Sequence, residues 1–429
     1  MLSESLAATN PELQHCYSNV RQRTLELVKG FSAEDMMLQS MPDASPGKWH
    51  LAHTSWFFET FILKPHALNY RVFNDSYEYL FNSYYDSVGE RHPRPNRGLL
   101  SRPGLEQILA YRRHIDDAMQ AALASPSAAA FTETVIIGLH HEMQHQELIL
   151  TDIKHALAQN PVAMNCPGLN NVAASPAKPF DTPTAKAALP LKPFTTFDEG
   201  VYHIGAQNSG FSYDCERPSH RVFCEAFALA NRPVSNSEWL EFIRAGGYQD
   251  PGLWLSDGWA RCQSEQWQAP LYWQRHEGEW YELRLDGYHP LDLAAPVCHI
   301  SYYEADAFAR WAGGRLPTEY ELEIASQKIA IAGNFAESGR WHPSATDATD
   351  SLQQLYGDVW EWSSSSYSPY PGFHPEQGAL GEYNGKFMAN QYVLRGGSCA
   401  TAQAQMRPSY RNFFYPHQRW QFSGLRLAQ

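Results

Sequence analysis

The sequence predicts an α+β protein of two domains, a helical bundle followed by a loop-rich domain of short strands. Three observations support this prediction. The chain has 429 residues, more than one hydrophobic core usually holds. Its first part carries apolar residues at helical spacing, and its second part is rich in Gly, Trp and Tyr with many turn signals. A Pro-, Ala- and Asn-rich stretch with little periodicity separates the two parts.

The first part contains four candidate amphipathic helices, at about residues 12–29, 48–63, 104–123 and 128–158. Four such segments predict an up-and-down bundle over residues 1–158. An aromatic, Pro-rich stretch at about residues 70–103 connects the second and third segments. A connection of that length within a bundle is usually functional.

The remaining chain divides into a linker and a second domain. Residues 159–193 predict a surface linker, and residues 194–429 predict a compact α+β domain with much irregular structure. Within that domain, the best candidates for helices are residues 235–245 and 303–312.

Composition narrows the class of protein. The net charge is −13 and the basic residues are scattered, which argues against binding to a phosphate backbone. The seven cysteines contain no C-x-x-C pair and fit reduced thiols in a cytoplasm. We find neither a signal-peptide pattern nor an apolar run of the ~18 residues that cross a bilayer. We therefore expect a soluble, cytoplasmic protein that binds neither nucleic acid nor membranes.

Histidines in the predicted bundle suggest a metal site. His141 and His145 lie four residues apart in the fourth predicted helix, on one face with Cβ atoms ~5–6 Å apart. His53 in the second predicted helix offers a third imidazole, because helices of a bundle can face each other. Three neutral imidazoles suit Fe(II) with open positions or Zn(II) with one water, and spacing does not choose between them. The other bundle histidines are expected to be core residues, namely His50, His140 and His155.

The segment His141 to His145 also matches the H-E-x-x-H motif of zinc peptidases, in which Glu142 would be the general base. The residues that follow, Gln146 to Asp152, do not contain the further ligand pattern of the metzincins. A zinc hydrolase that uses this segment therefore stays an alternative.

Several long motifs follow one another in a characteristic order. In the first part they are residues 49–59 (WHLAHTSWFFE), 84–89, 91–98 and 140–154, and in the second 315–319, 357–362, 394–398 and 407–427. Together they resemble the ergothioneine-biosynthesis sulfoxide synthases, in the branch that uses free cysteine. The resemblance implies a DinB-like four-helix bundle fused to a formylglycine-generating-enzyme-like domain, which is a C-type-lectin-like fold.

The resemblance also implies an activity, the coupling of L-cysteine to C2 of hercynine (trimethylhistidine) with O₂ on a non-haem Fe(II). The product would be hercynylcysteine sulfoxide. The implied site consists of the iron ligands His53, His141 and His145, the catalytic phenols Tyr84 and Tyr85, the hercynine-binding residues Gln144, Asn412 and Phe413, and the cysteine-binding residues Arg94 and Arg97.

One departure separates this chain from the formylglycine-generating enzymes. Those enzymes keep a reactive cysteine after a Tyr-Arg pair and a partner five residues earlier, where this chain has Asn412 and Arg407. Their thiol chemistry is therefore not expected here, and Cys399 is expected to be a small buried residue.

Three further alternatives remain. One is a selenoneine synthase that uses a selenosugar. Another is an ovothiol-forming relative, which is less expected because its additional methyltransferase domain is missing here. The third is a non-catalytic binding protein, since C-type-lectin-like domains often only bind.

Overall fold

The computed structural model describes residues 10–160, 193–207, 210–346 and 351–429. It divides into two compact units. The first consists of the described residues of Met1–Gly168 together with Gln207–Arg217 and Gly372–Lys386, and the second of those in Leu169–Ala206, Pro218–Pro371 and Phe387–Gln429. Two short segments assigned to the second domain by sequence thus pack in the helical unit. The boundaries 1–158, 159–193 and 194–429 otherwise stay a prediction, and residues 161–192 of the predicted linker lie outside the described residues.

In the part of the chain that the structure describes, the first unit is built on four long α-helices and two short ones. They are α1 (Asn10–Leu27), α2 (Gly47–Phe58), α3 (Lys64–His66), α4 (Tyr77–Phe81), α5 (Leu105–Leu123) and α6 (Thr132–Ala158). A π-helical turn, Glu59–Leu63, continues α2. The helix α2 packs against α5 and α6, and α1 packs against the same two helices. The predicted four-helix bundle is confirmed, and α3 and α4 fall at the end of its second segment and in the long connection.

Helix α2 is the centre of this unit, since all of its residues are buried, including its histidines. A helix without an exposed face must satisfy its polar groups inside the protein. Helix α6 approaches α2 closely at Gly138, where an added Cβ would lie 2.6 Å from the ring of Phe58. Only glycine allows this approach without displacing the Phe58 ring, and the approach brings the histidines of α2 and α6 together.

In its described residues, the second unit combines short strands with four α-helices. The strands are β1 (Phe194–Phe197), β2 (Gly200–Ile204), β3 (His220–Cys224), β4 (Phe227–Ala230), β5 (Trp273–His276), β6 (Glu279–Arg284), β7 (Gly287–Pro290), β8 (Trp360–Ser366), β9 (Tyr392–Arg395), β10 (Asn412–Phe414) and β11 (Ser423–Gly424). They form the sheets β1-β4, β2-β3, β5-β6-β7 and β10-β9-β8-β11. All pairs are antiparallel except β8 with β11.

The helices of the second unit are α7 (Asn236–Arg244), α8 (Ser256–Ser264), α9 (Tyr302–Trp311) and α10 (Glu319–Ser326). The predicted helices at 235–245 and 303–312 correspond to α7 and α9, and α8 and α10 were not predicted. Both units together confirm the α+β class. Helix α10 and the strands β1 to β4 enclose an apolar core that includes Leu229, Leu322 and Ile324. None of the helices in the described ranges is both long and apolar enough to cross a membrane.

Candidate metal centre

Three imidazoles from α2 and α6 meet at one position in the first unit. One nitrogen of each of His53, His141 and His145 lies within 4.8 Å of the others, and all three residues are buried. The Nε2 atoms of His53 and His141 are 3.1 Å apart. Burial lowers the pKa of His53 and His145 well below the ordinary value and that of His141 to about 3. The imidazoles are therefore neutral at physiological pH, the state that binds metal ions.

The orientation of His53 leaves one nitrogen for an ion. Its Nδ1–H donates to the carbonyl of Phe81, at the end of α4, over 2.6 Å. The Nε2 lone pair then points into the cluster. The ring is stacked with Trp49 and with Trp56, at centroid distances of 4.6 and 5.6 Å, which restricts its rotation. The three imidazoles therefore fit a divalent transition metal, and this donor set suits either Fe(II) or Zn(II).

Glu142, between the two histidines of α6, belongs to a different cluster. Its carboxylate accepts hydrogen bonds from Arg21 and Thr24 of α1 at 2.9 and 2.6 Å, and from Arg112 of α5. Burial alone would raise the pKa of Glu142, but the two guanidinium groups outweigh it and lower the pKa to about 2. A carboxylate that is held by three donors and protonates only near pH 2 is a poor general base. This arrangement argues against the zinc-peptidase alternative.

The two predicted cysteine-binding arginines have different environments. Arg94 is exposed and donates to the carbonyl of Asp43. Arg97 is only 3% exposed, lies 3.4 Å from the ring centroid of Trp49, and donates to the hydroxyls of Ser45 and Ser83 at 2.9 and 3.2 Å.

No carboxylate pairs with Arg97 among the described residues. Burial and the nearby Arg94 lower the pKa of Arg97 well below its ordinary value. The carboxylate of Asp152 acts on Arg97 in the opposite direction but does not pair with it, so direct contact with a carboxylate is left to an anionic ligand.

Tyr85 is a buried phenol, and Tyr84 beside it is partly buried. Their ring centroids are 4.7 Å apart, and that of Tyr85 is 5.5 Å from Trp56, which is itself stacked on His53. Burial raises the pKa of both tyrosines, so both keep their protons at neutral pH. Asn82 holds Tyr85 in place through two hydrogen bonds to its backbone, at 3.0 and 3.1 Å.

Tyr383 is a site residue that the sequence did not suggest. It lies in the segment Gly372–Lys386, which packs in the first unit. Its hydroxyl donates to Oε1 of Gln144, and its ring centroid is 5.7 Å from His141 and 5.9 Å from Tyr84. None of the motifs above includes Tyr383, and it is far from the bundle in sequence, so no pattern could have found it.

The same segment is attached to the turn at Tyr84. Glu382 accepts the backbone N–H groups of Asp86 and Ser87, both at 2.9 Å. Lys386 donates to the carbonyl of Tyr84 and pairs with Glu382 at 2.8 Å. Tyr383 lies in sequence between these two anchors, so the contacts fix Tyr383 and Tyr84 relative to each other.

Asn412 and Phe413 lie in β10 of the second unit. Phe413 stacks on Tyr367 at a centroid distance of 4.1 Å, and its N–H donates to the Asn412 side chain at 2.9 Å. Their predicted contact with hercynine is not tested by these interactions and stays a prediction.

Comparison with known proteins covers both parts of the chain. Residues 17–155 match the DinB superfamily, and residues 180–354 and 344–429 match the sulfatase-modifying factor enzyme 1-like domain. The chain is 32% identical to a hercynine oxygenase of Mycobacterium tuberculosis, over 98% of this chain and 99% of that one. A hercynine oxygenase of Mycolicibacterium smegmatis is 31% identical over 95% and 96%. A formylglycine-generating enzyme of Streptomyces coelicolor is 26% identical, over 46% of this chain and 76% of that enzyme.

Proposed function

Because the chain belongs to the hercynine oxygenase family, we propose that it is an Fe(II)-dependent sulfoxide synthase that joins L-cysteine to C2 of hercynine with O₂. The observation that carries the proposal is the buried triad of His53, His141 and His145. Three neutral imidazoles leave up to three positions of an octahedral ion open for substrates. Fe(II) would supply the redox chemistry with O₂, and the protein would orient the substrates and limit competing reactions.

The proposed reaction balances without an external reductant. The cysteine thiol and C2 of the imidazole each lose one hydrogen, and a carbon–sulfur bond forms between them. One oxygen atom of O₂ is transferred to the sulfur, and the other leaves as water with the two hydrogens. Sulfur and C2 together supply the four electrons that reduce O₂.

Arg97 supports an amino-acid substrate. A buried guanidinium with only hydroxyl partners among the described residues is suited to a carboxylate, which it can bind through two parallel hydrogen bonds. We assign the cysteine carboxylate to Arg97. Arg94, which is exposed, would add a weaker, screened attraction.

The residues around the triad supply the remaining polar contacts. Gln144 would donate to the hercynine imidazole, since its amide is beside the ligands His141 and His145 in sequence and its oxygen accepts from Tyr383. The protonated phenols of Tyr84 and Tyr85 can donate to an oxygen on which negative charge develops. The proposal keeps Asn412 and Phe413 as hercynine-binding residues on the family resemblance alone.

The proposal extends to the cell compartment. The six cysteines in the described ranges are free thiols, of which Cys399 is fully buried. Reduced thiols are typical of the cytoplasm, and we propose that location.

The test is anaerobic purification, metal removal and reconstitution in parallel with Fe(II) and with Zn(II). Hercynine at saturation is then offered with O₂ and either cysteine, γ-glutamylcysteine or a selenosugar. We expect O₂ consumption and a product with the mass of hercynylcysteine sulfoxide only with Fe(II), and with cysteine preferred. Preference for another donor would change the donor assignment. Activity with Zn(II) but not Fe(II) would overturn the proposal.

A further inference from the structure

We propose that His50 and Asp152 form a positioning pair that fixes His145 as a metal ligand through its Nε2 atom. The inference rests on the metal site of the proposed function. Nδ1 of His145 lies 2.7 Å from Nδ1 of His50, and Nε2 of His50 lies 3.2 Å from a carboxylate oxygen of Asp152. The sequence had suggested only a core role for His50.

The chemistry of the donors and acceptors sets the tautomers along this chain. An ionised carboxylate can only accept, so Nε2 of His50 carries the proton that it donates to Asp152. Neutral His50 then presents a lone pair at Nδ1, which can only accept. His145 must therefore carry its proton on Nδ1, and its lone pair is on Nε2.

The surroundings hold this pair in place. His50 and Asp152 are both buried, with exposures of 2% and 4%. The oxygen of Asp152 that faces His50 also accepts the backbone N–H of Ser45 at 2.8 Å. Because that amide can only donate, the same oxygen of Asp152 acts as an acceptor toward both groups.

The three proposed ligands differ in what orients them. The carbonyl of Phe81 orients His53, whereas Nδ1 of His141 has no hydrogen-bond partner among the described residues. His145 is oriented by the side chain of His50, which is held in turn by Asp152. Such outer contacts typically change metal affinity by about 10–100-fold when removed.

The experiment measures metal affinity, with no need for turnover. Metal-free protein is titrated with Co(II), followed by its visible absorption, in competition with a chelator of known affinity. We expect His50→Phe, which lacks the acceptor, to bind Co(II) about 10–100-fold more weakly than the wild type. His50→Gln retains one acceptor and one donor and should restore most of the affinity.

Asp152→Leu tests the outer end of this chain of contacts. Without the carboxylate, the Nε2–H of His50 loses its acceptor, so the tautomers of His50 and His145 are no longer fixed. This variant should therefore also bind Co(II) more weakly. The matched control is His155→Phe, another α6 histidine with a side-chain hydrogen bond, to Ser40 at 2.7 Å, which should bind Co(II) like the wild type.

A second readout separates positioning from general damage. ¹⁵N NMR of histidine-labelled, metal-free protein should show one resonance set of the Nδ1–H tautomer for His145, identified by its loss in His145→Ala. That tautomer should be lost in His50→Phe. If His50→Phe does not fold, as judged by circular dichroism, Asp152→Leu provides the same comparison. Wild-type affinity in a folded His50→Phe or Asp152→Leu would overturn the inference, whereas failure of the wild type to bind any metal would overturn the proposed function instead.

Discussion

Glu142 and Arg97 are both buried charged residues of the first unit, yet they are neutralised differently. Glu142 lies between two guanidinium groups and accepts a third hydrogen bond from Thr24. Arg97 contacts two hydroxyls and the face of Trp49, and among the described residues no carboxylate pairs with it directly. A buried charge that is fully paired contributes to the folded structure, whereas one left without a counter-ion is available to a ligand. By this criterion we infer that Glu142 is structural, and we propose Arg97 as part of the binding site.

The histidines of the bundle also divide into residues with fully paired ring nitrogens and residues that keep a nitrogen for a ligand. His50 has hydrogen-bond partners on both ring nitrogens, which suits a supporting role. His53 has its Nδ1 hydrogen-bonded to a carbonyl and its Nε2 directed at another imidazole. Two neutral imidazoles that face each other over 3.1 Å either share one proton in a hydrogen bond or direct two lone pairs at a common cation.

The largest effect, on metal affinity, is expected when one of the proposed metal ligands is removed. His53→Ala or His141→Ala should weaken Co(II) binding by about 1000-fold or more, since each removes one of three ligands from a site worth many kcal/mol. Metal content after dialysis, measured by mass spectrometry, checks this. His155→Ala is the control, and stoichiometric metal in either triad variant would contradict the assignment.

The second largest effect is expected on stability, when the negative charge of Glu142 is removed. Glu142→Gln leaves Arg21 and Arg112 without a counter-ion and should destabilise the protein by about 3–5 kcal/mol. Urea unfolding followed by circular dichroism measures the change. Glu133→Gln, in the exposed first turn of α6, should stay within about 0.5 kcal/mol of the wild type. Equal stability of the two variants would show that the cluster is not structural.

Replacing Arg97 should have the opposite outcome, with a small effect on stability and a large effect on substrate binding. Arg97→Met removes no ion pair, so we expect the free energy of unfolding to change by no more than about 1–2 kcal/mol. The KM for cysteine should rise by about 10–100-fold, with little change in the affinity for hercynine. Arg97→Lys should not restore it, because an ammonium cannot form the planar two-point contact. A stability loss as large as that of Glu142→Gln, with an unchanged KM, would reverse the two roles.

Sequence alone predicted the parts of the molecule that repeat or cluster locally. The four long helices follow from apolar periodicity, and the pair His141 and His145 follows from helix geometry. The short helices α8 and α10 were missed because each has a weaker apolar stripe than α7, which is of similar length and was predicted. The role of Glu142 stayed open, because the positions of Arg21 and Arg112 relative to it depend on how three helices pack.

Contacts between segments that are distant in sequence could not be predicted either. His50 was expected to be an ordinary core residue, and its link to Asp152 depends on the relative rotation of α2 and α6. Tyr383 comes from a segment far from the bundle in sequence, and only the folded chain shows it beside Gln144. Both examples depend on tertiary packing, which a local pattern does not encode.

The smallest effect on stability is expected where a paired charge is partly exposed. Glu382 is 22% exposed and anchors the backbone N–H groups of Asp86 and Ser87 while it pairs with Lys386. Because solvent screens such contacts, Glu382→Gln should cost less than about 1 kcal/mol of folding free energy. The amides of residues 84–88 should nevertheless exchange hydrogen faster, since the anchor of this turn is weakened. High salt should reproduce part of the effect in the wild type.

Hydrogen exchange read by mass spectrometry measures this change at residues 84–88, with Glu376→Gln as the control. Glu376 lies in the same segment and pairs instead with Arg217. If Tyr84 acts through its position, Glu382→Gln should also divert part of the oxidised cysteine to products other than the sulfoxide, whereas Glu376→Gln should not. Unchanged exchange at residues 84–88 in Glu382→Gln would show that the turn is held by its own contacts, such as those of Asn82, and that pairing at this surface has no positioning role.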